Sequence, residues 1–126
     1  MKPRLNVLSV GPNVPTHVAY NVFLVQHSCT LAVADSCRNL PPASLLEDCD
    51  VAVLHHTLAP GELRDAACFV RLRWPKARIL LIRAEAWCID DALYDDRIAP
   101  GANPEALLTT IGRLADDRMN QFRYSV

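Results

Sequence analysis

Glycine is scarce in this chain, with four in 126 residues. A loop that cradles phosphate on bare backbone N–H groups needs glycines close together, and neither G-x-G-x-x-G nor a Walker-type loop occurs. G-x-S-x-G, the sharp turn that presents a nucleophilic serine, is missing as well. The five cysteines, Cys29, Cys37, Cys49, Cys68 and Cys88, include no C-x-x-C pair. So odd and dispersed a set speaks against a disulfide framework or a zinc site, and fits a reducing compartment with buried or half-buried thiols. No apolar run approaches the ~18 residues that a membrane span needs. Charge of one sign is lacking too: 13 basic residues face 14 acidic ones, a net of −1. Arg71, Arg73, Lys76 and Arg78 do cluster, but as a solvated rim, and no global field favours nucleic acid. With no enzyme motif left, the chain is expected to be a non-enzymatic cytoplasmic protein with no cofactor, no metal and no membrane or nucleic-acid partner.

Apolar residues are plentiful, at 51%. They fall in short continuous runs: Leu5–Val10, Thr30–Asp35, Asp50–His56 and Arg78–Ala84, with Arg97–Ala99 as an edge segment. Continuous rather than alternating apolarity means burial on both faces, as in a parallel sheet covered by helices. The N-terminal MKPRLNVLSVGPN superficially suggests a signal peptide. It runs into Gly11-Pro12-Asn13 with no small-residue cleavage site, so it reads as the first strand.

Helical periods lie between these runs. Asn13 is expected to cap a helix with Pro15 in its first turn and Val14, Val18, Val22 and Val25 as its apolar stripe. Leu63, Ala67, Val70 and Trp74 share the face of a second helix, which Pro75 stops. Asn103-Pro104 opens a third, with Leu107, Ile111 and Leu114 facing inward. Segments 42–47 and 87–94 look like weaker helices. Strand and helix thus alternate about five times, which makes a doubly wound parallel sheet. The domain is expected to span 1–118, with 119–126 an extension that either prolongs the last helix or frays.

Ligands of open parallel sheets bind at the carboxyl ends of the strands. The residues there are Gly11-Pro12, His55-His56, Arg83-Ala84-Glu85 and Ala99-Pro100. In this framework the chain up to about residue 118 resembles the CheY-like receiver domains of bacterial response regulators. The resemblance implies a flavodoxin-like (βα)5 three-layer α/β sandwich with strand order 2-1-3-4-5. In that family the third strand ends in a phospho-accepting Asp with a Pro four residues on. Counting back from Pro60 puts His56 there, or His55 if the register slips by one. The family's acidic Mg²⁺-holding pair falls on Gly11 and Pro12. Its Thr or Ser falls on Arg83, and its Lys before Pro on Ala99. All five functional positions differ, which implies a degenerate receiver.

The chemistry follows from the replacements. Mg²⁺ needs hard oxygen ligands, and Gly11-Pro12 offers no side-chain oxygen. With no carboxylate at the acceptor position no acyl phosphate forms, and with neither metal nor Lys a transferring phosphoryl group is not neutralised. Adjacent strand residues face opposite ways, so His55 and His56 cannot easily chelate one ion. One is expected to fill the strand-end pocket, the other to pack under a helix. A metal site joining one of them to Cys88 or Glu85 is an alternative. Arg83 has four readings: a mimic of an occupied site's charge, a partner of Glu85 or Asp35, an anion ligand with His56, or a solvent-facing side chain. His17 and His27 are too far apart to share a metal and are expected at the surface.

Two functions remain. In the first, the chain is a phosphorylation-independent signalling module that docks on another signalling protein or on its own copy. The resemblance implies the face of the fourth helix, fifth strand and fifth helix, where Asp90, Asp91, Asp95, Asp96, Arg97, Arg113 and Asp117 lie. The alternative is a sensor that binds a small anion or a metal in the strand-end cleft through His56 and Arg83.

Overall fold

Residues apolar on both faces do form strands in the computed structural model, which describes residues 5–12, 14–27, 29–35, 48–55, 58–83 and 93–124, with backbone alone for Pro60 and 117–124. The strands are β1 (Leu5–Val10), β2 (Cys29–Ala34), β3 (Val51–Leu54), β4 (Arg78–Ile82) and β5 (Asp96–Ile98). All pair in parallel, in the order β2-β1-β3-β4-β5. Helices α1 (Pro15–Gln26), α2 (Pro60–Arg73) and α3 (Pro104–Tyr124) cover the sheet. This is the flavodoxin-like arrangement expected from the sequence. Of the segments read as short helices, 42–47 lies outside the described residues, as do residues 87–92 of 87–94.

Alternation along each strand sends its side chains into two separate cores. On one face Leu8, Val10, Ala52, Leu54, Ile79 and Leu81 pack under α2, against Leu63, Ala67, Val70 and Trp74. On the other, Val7, Val51, Val53, Leu80 and Ile82 pack under α1 and α3, against Tyr20, Leu24, Leu107, Ile111 and Leu114. The stripes expected for α2 and α3 are therefore the buried ones. Asp50, which leads the third apolar run, fixes register: its Oδ2 accepts a hydrogen bond from the Asn6 N–H at 2.8 Å.

Helix α1 departs from expectation. Val18, Val22 and Val25 are exposed, and the buried face is His17, Tyr20 and Leu24. Both sets have helical spacing, so periodicity alone does not choose between them. Packing does, because two rings and a leucine fill the room over β1 and β3 that slender valines would leave empty. Asn13, the expected cap, lies outside the described residues; Val14 holds the N-cap position without a side-chain cap, and Pro15 supplies the preset first turn.

Helix α3 begins as expected. Asn103 Oδ1 accepts the Ala106 N–H at 2.8 Å. Asn103→Ala is expected to lower stability by about 1 kcal/mol, read as a shift of the urea midpoint with unchanged slope. The helix continues past residue 118 to Tyr124.

Candidate functional site

The strand ends converge as the topology requires. The ladder runs one residue past β1 and β3: Gly11 N–H donates to the Ala34 carbonyl at 2.9 Å, and His55 N–H to the Val10 carbonyl at 3.0 Å. From there His55 points to the α1 side of the sheet, the parity of Val51 and Val53. It is 1% exposed. The expectation that one of the paired histidines packs under a helix is met by His55. His56 lies outside the described residues, with Ala84, Glu85 and Cys88.

The residue that receives His55 is one assigned to the surface by its sequence context. His17 is 2% exposed and stacks on His55, ring centroids 3.9 Å apart and planes 28° from parallel. A carbonyl can only accept, so the 2.7 Å contact between His17 Nδ1 and the Pro12 oxygen means that Nδ1 carries the proton. Ser9 Oγ lies 2.8 Å from His55 Nε2. Tyr20 adds a third ring, its centroid 6.5 Å from that of His55. Its hydroxyl donates to the carbonyls of Pro100, at 3.1 Å, and Ala102. A chain of contacts thus runs from Ser9 on β1 through His55 to Tyr20 and the turn between β5 and α3, with His17 stacked on His55. The signal for it in the sequence was the i, i+3, i+7 spacing of His17, Tyr20 and Leu24. His27, by contrast, is exposed and stacks on Phe23.

This cluster decides what Gly11 can be. A Cβ built on Gly11 would lie 2.8 Å from the Cβ of His55 and 3.1 Å from both Cε1 and Nδ1 of His17. The first neighbour is fixed to the main chain and cannot swing aside. Any side chain at position 11, an acidic one included, competes for the volume that the histidines fill.

Arg83 is half-buried at the end of β4, where its N–H donates to the Ile98 carbonyl at 3.0 Å. Its guanidinium donates to the Leu58 carbonyl at 3.2 Å. Of the four readings of this residue, the one with the side chain turned to solvent is set aside; it bridges the β4 end to the segment before α2. Ala99 is exposed and Pro12 half-buried. Among the described residues no group of three or more His, Cys, Asp or Glu is placed to hold a metal ion. Cys29 and Cys49 are buried thiols and Cys68 an exposed one.

The charged face divides in two. Asp95, expected on the surface, is turned inward: it accepts from Arg71 at 3.2 Å, Arg78 at 3.1 Å and the Ile79 N–H at 2.7 Å. Three donors that need an acceptor at the β4–β5 edge hold it there, so Asp95 leaves the charged face expected from the sequence. Asp96 and Arg113 form an ion pair joining β5 to α3, with Arg97 exposed beside them. Asp90, Asp91 and the Asp117 side chain lie outside the described residues.

No family model and no curated protein matches the chain in sequence. Solved structures do match it. A CheY-like receiver domain protein from Methanospirillum hungatei superposes with a TM-score of 0.76 at 14% identity, covering 94% of this chain and 98% of its own. The chemotaxis response regulator CheY4 of Vibrio cholerae gives 0.73 at 18% identity, covering 88% and 98%. The response regulator TrrA of Thermotoga maritima, solved with Mg²⁺ and beryllium fluoride, gives 0.67 at 14%, covering 87% and 98%. The fold is that of a receiver domain. At these identities the likeness is one of fold, and the strand-end chemistry has to be read from this chain's own residues. No helix among the described residues is long and apolar enough to cross a membrane.

Proposed function

We propose that this chain is a degenerate receiver, a signalling module that works by protein–protein docking without a phosphorylation switch. The observation that carries the reading is the packing around Gly11, where a Cβ would meet the His55 Cβ at 2.8 Å. The volume that would hold the metal-binding carboxylate of an active receiver is taken by the His17–His55 stack. Pro12 adds no side-chain oxygen, and its carbonyl is engaged by His17. Without carboxylates a hard divalent cation has no anchor, and phosphoryl transfer lacks its charge neutralisation.

Output then depends on surface. Asp96, Arg97 and Arg113 on β5 and α3 supply both signs of charge, which suits a partner face of alternating sign or the same face of a second copy across a two-fold axis. Sedimentation of the wild-type chain against Arg97→Glu and Arg113→Glu tests this. A salt-sensitive dimer that the reversals abolish is expected if the partner is a second copy. A wild-type chain that stays monomeric leaves docking on another signalling protein. Self-association unchanged by either reversal would remove this face from the proposal.

A further inference from the structure

We propose that β2 is a dimerisation edge: a second copy of this chain lays its own β2 antiparallel to it across a two-fold axis, with the exposed valines of α1 over the junction. The contact lies at the opposite end of the sheet from Asp96, Arg97 and Arg113, and stands whether or not that face docks a partner.

Among the described residues β2 pairs with β1 alone. The Ala34 carbonyl accepts from the Gly11 N–H, so Ala34 turns its main-chain groups towards β1. These groups alternate in direction along a strand, which turns Thr30 and Ala32 the same way and Leu31 and Val33 outward. Outer strands are ordinarily blunted by lysine, proline or a bulge. Cys29–Ala34, CTLAVA, has no charged residue and no proline, and it pairs residue for residue with β1.

The surface beside this edge is apolar. Leu31 and Val33 share the parity of Cys29, so their side chains lie on the α1 side of the sheet. On α1, Val18, Val22 and Val25 recur at i, i+4 and i+7 and form one flank. That flank lies roughly 140–160° round the helix from Tyr20, at about 100° a residue. Tyr20 reaches the carbonyls of Pro100 and Ala102 at the start of α3, so the valines are on the flank turned from α3 towards β2. All four valines, Val33 included, are between 43% and 52% exposed. Apolar surface gathered in this way marks a contact site.

The occupant follows from what the edge offers. Neither α1 nor β2 carries Asp, Glu, Lys or Arg, so these elements give a charged partner no counter-charge. What fits is an uncharged strand edge with apolar surface on one side of it, and the chain's own β2 and α1 are that combination. With the two-fold axis at Ala32, Leu31 falls opposite Val33 of the second copy. Such a pair exchanges two main-chain hydrogen bonds, and the symmetry makes two pairs. An axis perpendicular to the sheet keeps both α1 helices on the same side, which brings the two valine flanks towards each other. Asp35, just past the strand, falls opposite Cys29 of the second copy, so the two Asp35 carboxylates lie at opposite ends of the ladder.

Sedimentation equilibrium of the full chain, with amide hydrogen exchange followed by NMR at two concentrations, tests the contact. A monomer–dimer equilibrium that sodium sulfate strengthens is expected. The Leu31 and Val33 amides should gain protection as concentration rises, while those of Ala32 and Ala34, turned to β1, stay the same. Val33→Lys and Val22→Lys, both at half-exposed positions, should leave the chain folded and monomeric. A wild-type chain that is monomeric at NMR concentrations, outward amides whose exchange ignores concentration, or a dimer that survives both lysines would each overturn the proposal. So would a dimer that salt dissociates and that Arg97→Glu or Arg113→Glu abolishes, because that contact belongs to the charged face.

Discussion

Gly11→Asp is expected to destabilise the domain by about 3 kcal/mol or more and to leave Mg²⁺ binding unrestored. Two costs add. The new Cβ lands 2.8 Å from a main-chain-anchored Cβ of His55 and 3.1 Å from the His17 ring. Overpacking of that kind costs roughly 1–3 kcal/mol where the surroundings are rigid. The carboxylate then also has to be desolvated in the closed space beside the two buried rings. Gly11→Ala isolates the steric part and should lower the urea midpoint by an amount equivalent to about 1–3 kcal/mol. A neutral or stabilised Gly11→Ala would show that the histidines yield easily and that the pocket is not closed by packing. Combining Gly11→Asp with His55→Gly and His17→Ala removes the neighbours, and in that background the steric penalty should largely disappear.

Asp95→Ala is the second large effect. The carboxylate collects Arg71, Arg78 and the Ile79 N–H, with about 16% of the side chain exposed. Removing it leaves two guanidinium groups and a strand-edge N–H without their acceptor, in a partly shielded place. Breaking a buried pair from one side costs about 3–5 kcal/mol; with this residual exposure a loss of about 2–4 kcal/mol is expected. Asp96→Ala, one residue along, cuts the ion pair with Arg113, whose side chain is 57% exposed. It should cost well under about 1 kcal/mol. Urea denaturation of the two variants side by side separates the residues by role. Equal losses would contradict the assignment of Asp95 to the framework and Asp96 to the surface.

The framework was legible because its signals are local. Four continuous apolar runs located β1 to β4 within two residues of their ends, and Asn103-Pro104 marked the start of α3. Strand parity sent one of the two paired histidines under a helix, and that one is His55. The partner it meets there was misread. Four valines on α1 made a plausible apolar stripe, so His17 was assigned to solvent, yet three of those valines are exposed and His17 is buried. Hydrophobic pattern ranks side chains by their aversion to water. It does not weigh the volume that a gap between α1 and β3 requires, and two stacked imidazoles with hydrogen-bonded edges fill it well. Asp95 was misplaced for a related reason. Charge suggested a surface, but the acceptor was required by Arg71 and Arg78, which lie 24 and 17 residues earlier.

The most direct test of a receiver fold without a phosphate switch is a backbone amide NMR titration with Mg²⁺, followed by beryllium fluoride. The resonances to follow are Val10, Gly11, His55 and Arg83. They are expected to stay in place through both additions, because Gly11 and Pro12 place no side-chain carboxylate at the end of β1. Saturable movement at those positions would contradict this directly, and would make the cleft an ion-binding site served by Arg83 or His56.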